Sequence, residues 1–135
     1  MILADTSAWV EYDRATGSAV DLRLTELIDS AGPVAVTEPV MMEVLCGARD
    51  NYRERDLRRL LDRFELLRFE ATSDFAGAMQ IYRACRRAGV TPRGLVDCMI
   101  ASVALRNNAA VLARDGDFPH IAKVMALDLD PATPH

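Results

Sequence analysis

The sequence contains one lysine, Lys123, against 15 arginines, only two histidines, His120 and His135, and only three cysteines. Each scarcity removes a class of function. His135 is the last residue and His120 stands alone, so no paired-imidazole acid–base chemistry is evident. Cys46, Cys85 and Cys98 are widely spaced and odd in number, which argues against a disulfide framework and against zinc-ligand spacing. Each sits in an apolar helical setting and reads as a small buried residue of a reducing compartment. No apolar run approaches the ~18 residues of a membrane span. Met1-Ile-Leu-Ala-Asp5 has neither the basic start nor the length of a secretion signal. These absences lead us to expect a cytoplasmic protein that does not engage a membrane.

What is present is a chain of 135 residues, half of them apolar, enough for one domain with a proper core. The expected domain spans residues 1–129, and the Pro-containing end, residues 130–135, reads as a flexible tail. The net charge of −4 makes the molecule as a whole a poor nonspecific binder of nucleic acid. The arginines are nevertheless clustered. Seven lie between Arg49 and Arg68, and Arg83, Arg86, Arg87 and Arg93 form a second group. Arginine-rich faces beside an acidic pocket can hold a phosphodiester backbone locally, which makes Arg58, Arg59 and Arg93 candidates for that role. The plainer alternative is solvated helix faces paired with Asp56, Asp62 and Glu65.

Strand and helix signals alternate along the chain. Residues 1–4 are an apolar run too short for a helix, stopped by Asp5, with Thr6 and Ser7 as helix N-caps behind it. A short helix over 7–13 is expected, then a second opened by the Ser18-x-x-Asp21 box and closed at Gly32-Pro33. Residues 34–36 read as a buried strand, and Thr37 caps a helix running to about Ala48 with Pro39 in its first turn. Leu57, Leu60, Leu61 and Phe64 form a helical stripe. Residues 66–69 read as a strand, 73–89 and 95–107 as helices, and 109–113 as a buried strand. A short helix near His120 and a last strand at 124–127 complete the expectation. Such alternation implies an α/β fold of three α/β/α layers around a central parallel sheet with right-handed crossovers.

Four acidic sites fall at element ends that a parallel sheet gathers along one edge. Asp5 ends the first strand, Glu43 follows the second on its helix, Asp97 stands in the first turns of an apolar helix, and Asp115 and Asp117 follow the strand 109–113. Asp97 is the most telling, because a carboxylate on a helix that is apolar nearly all round is expensive unless paired or bound to a cation. Taken singly, Asp5 and Asp97 can be helix-start residues, Glu43 an exposed helix residue and Asp115-Gly-Asp117 a turn. Together, crowded carboxylates would take up protons unless a cation sat among them. Oxygen-only ligands suit Mg²⁺ or Mn²⁺ rather than zinc. Such a cluster is apparatus for phosphodiester cleavage.

The four segments in order resemble the PIN-domain ribonucleases, most closely the VapC toxins of VapBC toxin–antitoxin pairs, over essentially the whole chain. Met1-Ile-Leu-Ala-Asp-Thr-Ser-Ala-Trp9 resembles the family's opening strand, Glu38-Pro-Val-Met-Met-Glu-Val-Leu-Cys-Gly-Ala48 its second acidic segment, Leu95-Val-Asp-Cys-Met-Ile-Ala-Ser102 its third, and Val111-Leu-Ala-Arg-Asp-Gly-Asp-Phe118 its closing motif. The resemblance implies a PIN fold and a Mg²⁺-dependent endoribonuclease. It places metal most directly on Asp5 and Asp97, with Asp115, Asp117 or both as further ligands, Glu43 completing the catalytic set, and Thr6 and Ser7 holding Asp5 or touching substrate. It also implies a homodimer and a cognate VapB-type antitoxin, for which Met41, Leu45, Leu57, Leu60, Leu61 and Phe64 are candidate contacts. The chain departs from the family at Ala113, where a Thr or Ser is frequent, so a hydroxyl that would orient Asp115 is missing.

Three other readings compete. One is a PIN nuclease of housekeeping RNA processing, which the compact length disfavours. A non-catalytic acidic-pocket binding module conflicts with the presence of every acidic position. A receiver-like phosphoacceptor needs a basic partner, usually Lys, and Lys123 lies in no matching motif.

Overall fold

The computed structural model describes residues 1–134. Its centre is a four-stranded, all-parallel sheet of β1 (Ile2–Ala4), β2 (Val34–Val36), β3 (Glu65–Leu66) and β4 (Ala110–Leu112), in the order β3-β2-β1-β4. β1 is paired on both sides, Leu3 lying opposite Ala35 and Val111. Its three residues are buried on both faces, which explains why they read as a continuous apolar run instead of alternating.

The strand order dictates the layers. From β1 through β2 to β3 the chain steps one way, through α1 (Thr6–Asp13), α2 (Ala19–Asp29), α3 (Glu38–Cys46) and α4 (Asn51–Leu61). It then returns past β1 to β4 through α5 (Ala71–Arg87) and α6 (Leu95–Arg106). Right-handed crossovers in opposite directions put the two helix sets on opposite faces. The packing follows: α1 touches α2 and α3, α3 touches α4, while α5 packs on α6. α7 (Asp117–Ala122) adds to the second layer. Because the order reverses between β1 and β4, a crevice opens at the carboxyl ends of those two strands. The three-layer α/β/α expectation holds.

Composition suits α6 to its central place. Ile100, Ala101, Val103 and Ala104 are fully buried, and Ser102 is nearly so. Burying Ile100 alone contributes about 2 kcal/mol. The close approach of α5 depends on Gly77, where a methyl group would collide with the Ser102 hydroxyl. Beside it, Ser102 Oγ and the Arg106 guanidinium donate to the buried Asp74 carboxylate, at 2.8 Å for Ser102 Oγ and 2.7 Å for Arg106 Nη2. Burial pushes the Asp74 carboxyl up, but these partners and the Glu70 N–H outweigh it and hold it below the usual range.

Several local expectations are corrected. Asp5, not Thr6 or Ser7, caps α1, its carboxylate accepting from the Ser7 N–H. The helices expected at 7 and 73 begin at Thr6 and Ala71, and the stripe from Leu57 belongs to a helix that begins at Asn51. The third strand is shorter and earlier than 66–69. No strand forms at 124–127, because the Val124 and Met125 N–H groups bond back to Ile121 and finish α7. Instead Leu129 makes a single parallel bridge to Val111. Cys85 and Cys98 are buried as expected, whereas Cys46, on the last turn of α3, is exposed. Among the described residues, no helix is long and apolar enough to cross a membrane.

The largest correction concerns the end of the chain. Residues 130–134 are not a loose tail; His135 lies outside the described residues. Asp130 is buried and ion-paired with Arg23 at 3.2 Å. Thr133, also buried, donates its hydroxyl to the Val111 carbonyl and accepts from the Ala113 N–H. Thr133→Val strands that N–H and is expected to cost about 1–3 kcal/mol in urea unfolding, with faster hydrogen exchange at Ala113. Unchanged exchange would show that the tail does not hold the end of β4.

Candidate active site

The crevice between the ends of β1 and β4 is where the acids meet. A cavity of about 310 Å³ is lined by Asp5, Thr6, Ser7, Val10, Glu11, Glu43, Asp97, Arg114 and Asp115. Asp5 arrives directly from β1 and is almost fully buried. Asp97 lies in the first turn of α6, Glu43 in the middle of α3, and Asp115 just past β4. One carboxylate oxygen each from Asp97, Asp115 and Asp117 lie within 4.8 Å of one another. Asp115 faces the cavity, whereas Asp117 is buried beside it and does not line it.

Hydroxyls organise the acids. Ser7 Oγ donates to Asp5 Oδ2 at 2.6 Å and accepts from the N–H groups of Arg114 at 2.9 Å and Asp115 at 3.2 Å. Ser7, in the first turn of α1, thus ties Asp115 to Asp5 without a hydroxyl at residue 113. Thr6 Oγ1 donates to Glu43 Oε1 at 2.6 Å, which aims that carboxylate across from α3. Arg93 answers part of the negative charge. Its guanidinium pairs with Asp115 at 3.0 Å and Asp117 at 3.5 Å, and the Arg93 backbone N–H donates to Asp117.

The charge is far from fully answered. Burial, outweighing hydrogen bonds from Ser7 and Thr6 and assisted by nearby Asp115, pushes the Asp5 carboxyl up to about 6. Burial and then the charges of Asp5, Asp115 and Asp117 drive Asp97 well above the carboxylate range, with a hydrogen bond to Asp117 acting the same way. Among the described residues, Asp5 Oδ1 is buried without a hydrogen-bond partner. A carboxylate oxygen that is desolvated, unpaired and surrounded by like charge has the environment of a cation ligand. The donors are all oxygen, so a hard divalent ion of the Mg²⁺ or Mn²⁺ kind fits them and a soft one does not.

The structure adds residues that the sequence reading passed over. Glu11 lines the cavity and pairs with Arg114 at 3.6 Å. Its signal was available: it lies four residues after Ser7, hence on the same face of α1. The outlying arginines behave differently from Arg93. Arg58 is tied to Glu54 on its own helix and Arg59 is exposed, and neither lines the cavity. Among the apolar contact candidates, Leu61 and Leu57 are core residues, because the inward stripe of α4 packs them beneath α3. Met41, Leu45, Leu60 and Phe64 are half-buried.

Residues 2–124 match the family model described as PIN domain. The chain belongs to the PIN-domain family. It is 45% identical over 128 residues to the VapC ribonuclease Mb1587 of Mycobacterium bovis and, equally, to the ribonuclease VapC11 of Mycobacterium tuberculosis. Each match covers 94% of this chain and 96% of the relative. Solved structures share the PIN fold at lower identity. VapBC2 from Rickettsia felis, bound to a promoter DNA fragment, superposes with a TM-score of 0.75 at 20% identity, covering 96% of this chain and 98% of that one. VapC20 of Mycobacterium tuberculosis, described as a sarcin–ricin loop cleaving toxin, gives 0.67 at 21% identity over 95% and 99%. In this PIN domain Asp5, Glu43, Asp97 and Asp115 line the crevice, and Asp117 stands buried beside it.

The raised acids make a signed pH prediction. In the folded, metal-free protein Asp5 and Asp97 keep their protons to higher pH than in the unfolded chain. The stability they allow is complete below the ordinary carboxylate range and is lost as pH rises through about 6 for Asp5 and higher for Asp97. Asp97→Asn removes one of the two. With chelator present at pH 8, it is expected to unfold at equal or higher urea than wild type, by up to about 3 kcal/mol, with the advantage shrinking at pH 5. A marked loss of stability at pH 8 would mean that Asp97 holds the fold together.

Proposed function

We propose that this PIN domain is a Mg²⁺-dependent endoribonuclease that hydrolyses RNA phosphodiester bonds, and that it is the toxin of a VapBC-type pair in the cytoplasm. The observation that carries the reading is the unpartnered, buried Asp5 oxygen among Asp97, Asp115 and Glu43 at one open cavity. The 45% identity to two VapC ribonucleases along nearly the whole chain supports both the substrate class and the toxin role over housekeeping RNA processing.

In this reading Asp5, Asp97 and Asp115 hold the ion, and Mn²⁺ is accepted in place of Mg²⁺. When bound, such an ion lowers the pKa of water and offsets negative charge developing on the phosphate. The chain's own residues do the rest. Ser7 keeps the ends of β1 and β4 in register, so that the Asp5 and Asp115 carboxylates converge. Glu43, aimed by Thr6, accepts a proton or orients water at the cavity. Asp117, clamped by Arg93, shapes the wall behind Asp115. Arg58 and Arg59 join Arg93 as weaker candidates for steering RNA.

Partners complete the proposal. A VapB-type antitoxin would cover the crevice, meeting Met41, Leu45, Leu60 and Phe64 along the early helices. A homodimer is supported by Phe75 and Met79, one turn apart on α5 and about half exposed, which a second copy would cover.

Purified protein incubated with total cellular RNA is expected to give discrete fragments with Mg²⁺ and none with chelator. Asp5→Ala should lower the rate at least 100-fold, since the ion and the geometry of the site are lost together. Equal cutting by wild type and Asp5→Ala would refute the assignment of the site. Ser7→Ala tests the positioning role: kcat is expected to fall about 10-fold or more while the fold is retained, and Ser7→Thr should recover part of it.

A further inference from the structure

A second concave surface lies outside the acidic crevice. Arg83, Arg86 and Arg87, on the last turns of α5, line a hollow of about 310 Å³. Their i, i+3, i+4 spacing puts all three on one helix face within about one turn, roughly 6 Å. All three are exposed. Among the described residues, seven of the 15 arginines are ion-paired, and none of these three is among them. Cations at a helix C-terminus complement its dipole, and that accounts for one arginine at about 0.3–1 kcal/mol. It does not account for three crowded guanidiniums left uncompensated on a protein of net charge −4.

The position of the hollow is fixed by the packing of α5 on α6. Asp74 in the first turn of α5 bonds Ser102 and Arg106 in the last turns of α6, so the two helices run antiparallel. The arginine end of α5 therefore lies beside the first turn of α6, which carries Asp97. Between them the loop 88–94 brings Arg93 onto Asp115 and Asp117. Cys85 is buried on the inward side of the same α5 turn, and α5 also packs on α7, which begins at Asp117. The loop 88–94 thus joins the arginine end of α5 to the edge of the acidic crevice, where Arg93 is held by the two aspartates.

We propose that Arg83, Arg86 and Arg87 form a phosphate-binding shelf that holds the RNA backbone to one side of the bond to be cut. This deepens the ribonuclease reading and rests on it. Planar, forked guanidiniums suit phosphate oxygens, and among the described residues no apolar side chain lines the hollow. A protein partner would need an apolar centre to bury, which is absent there. Anchoring the strand at the shelf delivers a neighbouring phosphodiester to the carboxylates without touching the reacting atoms, so the three arginines act on binding.

The test compares wild type with Arg83→Gln/Arg86→Gln/Arg87→Gln, using a single-stranded RNA that contains a mapped cleavage site and a version shortened on one side and then on the other. The triple variant is expected to raise KM for the long RNA about 10-fold with kcat unchanged. The slope of log affinity against log salt should flatten by roughly 0.7 for each phosphate no longer held. One of the shortened RNAs, lacking the anchored nucleotides, should be cut equally by both proteins. The single variants should each show part of the effect, and they replace the triple should it misfold. Unchanged KM and salt slope beside active wild type overturn the shelf alone. If KM is unchanged but inhibition by the antitoxin weakens, the surface belongs to a protein partner and the proposal is wrong. If wild type neither binds nor cleaves RNA, the ribonuclease reading fails and the shelf falls with it.

Discussion

The Ser7 hydroxyl sits where the ends of two neighbouring strands meet, donating to the Asp5 carboxylate and accepting from the backbone of Arg114 and Asp115. β1 and β4 are the beginning of the chain and nearly its end, and hydrogen bonding within the sheet sets their backbones without setting where the chain goes afterwards. A single side chain settles that by making the direction of one carboxylate depend on the backbone that carries another. The tail reinforces this junction from behind, because Thr133 secures the carbonyl of Val111 and the N–H of Ala113 just before the chain leaves β4.

Two kinds of buried carboxylate show how the protein separates architecture from chemistry. Asp74 is as buried as Asp5, yet it is supplied with a guanidinium, a hydroxyl and a backbone N–H, and it remains below the usual carboxylate range. It joins α5 to α6 and is complete in itself. Asp5 and Asp97 are left with too few donors and too many like charges, and they rise above that range. An isolated fold has no reason to maintain such crowding, since each group would be better solvated or better paired. Arg93 moderates the repulsion from the exposed side without filling the crevice, which leaves the site open to an ion and a phosphate.

The positive charge is distributed with the same economy. Most arginines near acidic residues are spoken for, on their own helix or across a short gap, so the count of basic residues says little about where a polyanion would sit. The uncompensated ones matter, and on α5 they stand at the end of the helix nearest the acids. The overall charge of −4 then restrains nonspecific attachment while a local path remains available.

Much of this is legible in the order of residues. The short apolar runs before Asp5 and Arg114 can only be buried strands, the helical stripes between them imply crossovers, and parallel strands bring their carboxyl ends together; fold class and the convergence of Asp5, Glu43, Asp97 and Asp115 follow from period and order alone. The resemblance to PIN domains rests on those same positions. What the sequence does not specify is anything decided by partners distant along the chain. The apolar run at 124–127 reads as a strand, but the Ile121 carbonyl at the end of α7 takes the Val124 and Met125 N–H groups first. A tail containing two prolines looks loose, but Arg23 and the backbone of β4 offer its polar groups better partners than water. Leu57 and Leu61 carry the pattern of a docking face and of a core equally, and only the packing of α3 over α4 chooses the core. Sequence determined which groups are acidic, apolar or hydroxylic and at what period; tertiary structure decided which of them are left without a partner, and that depends on distances between segments that no local rule contains.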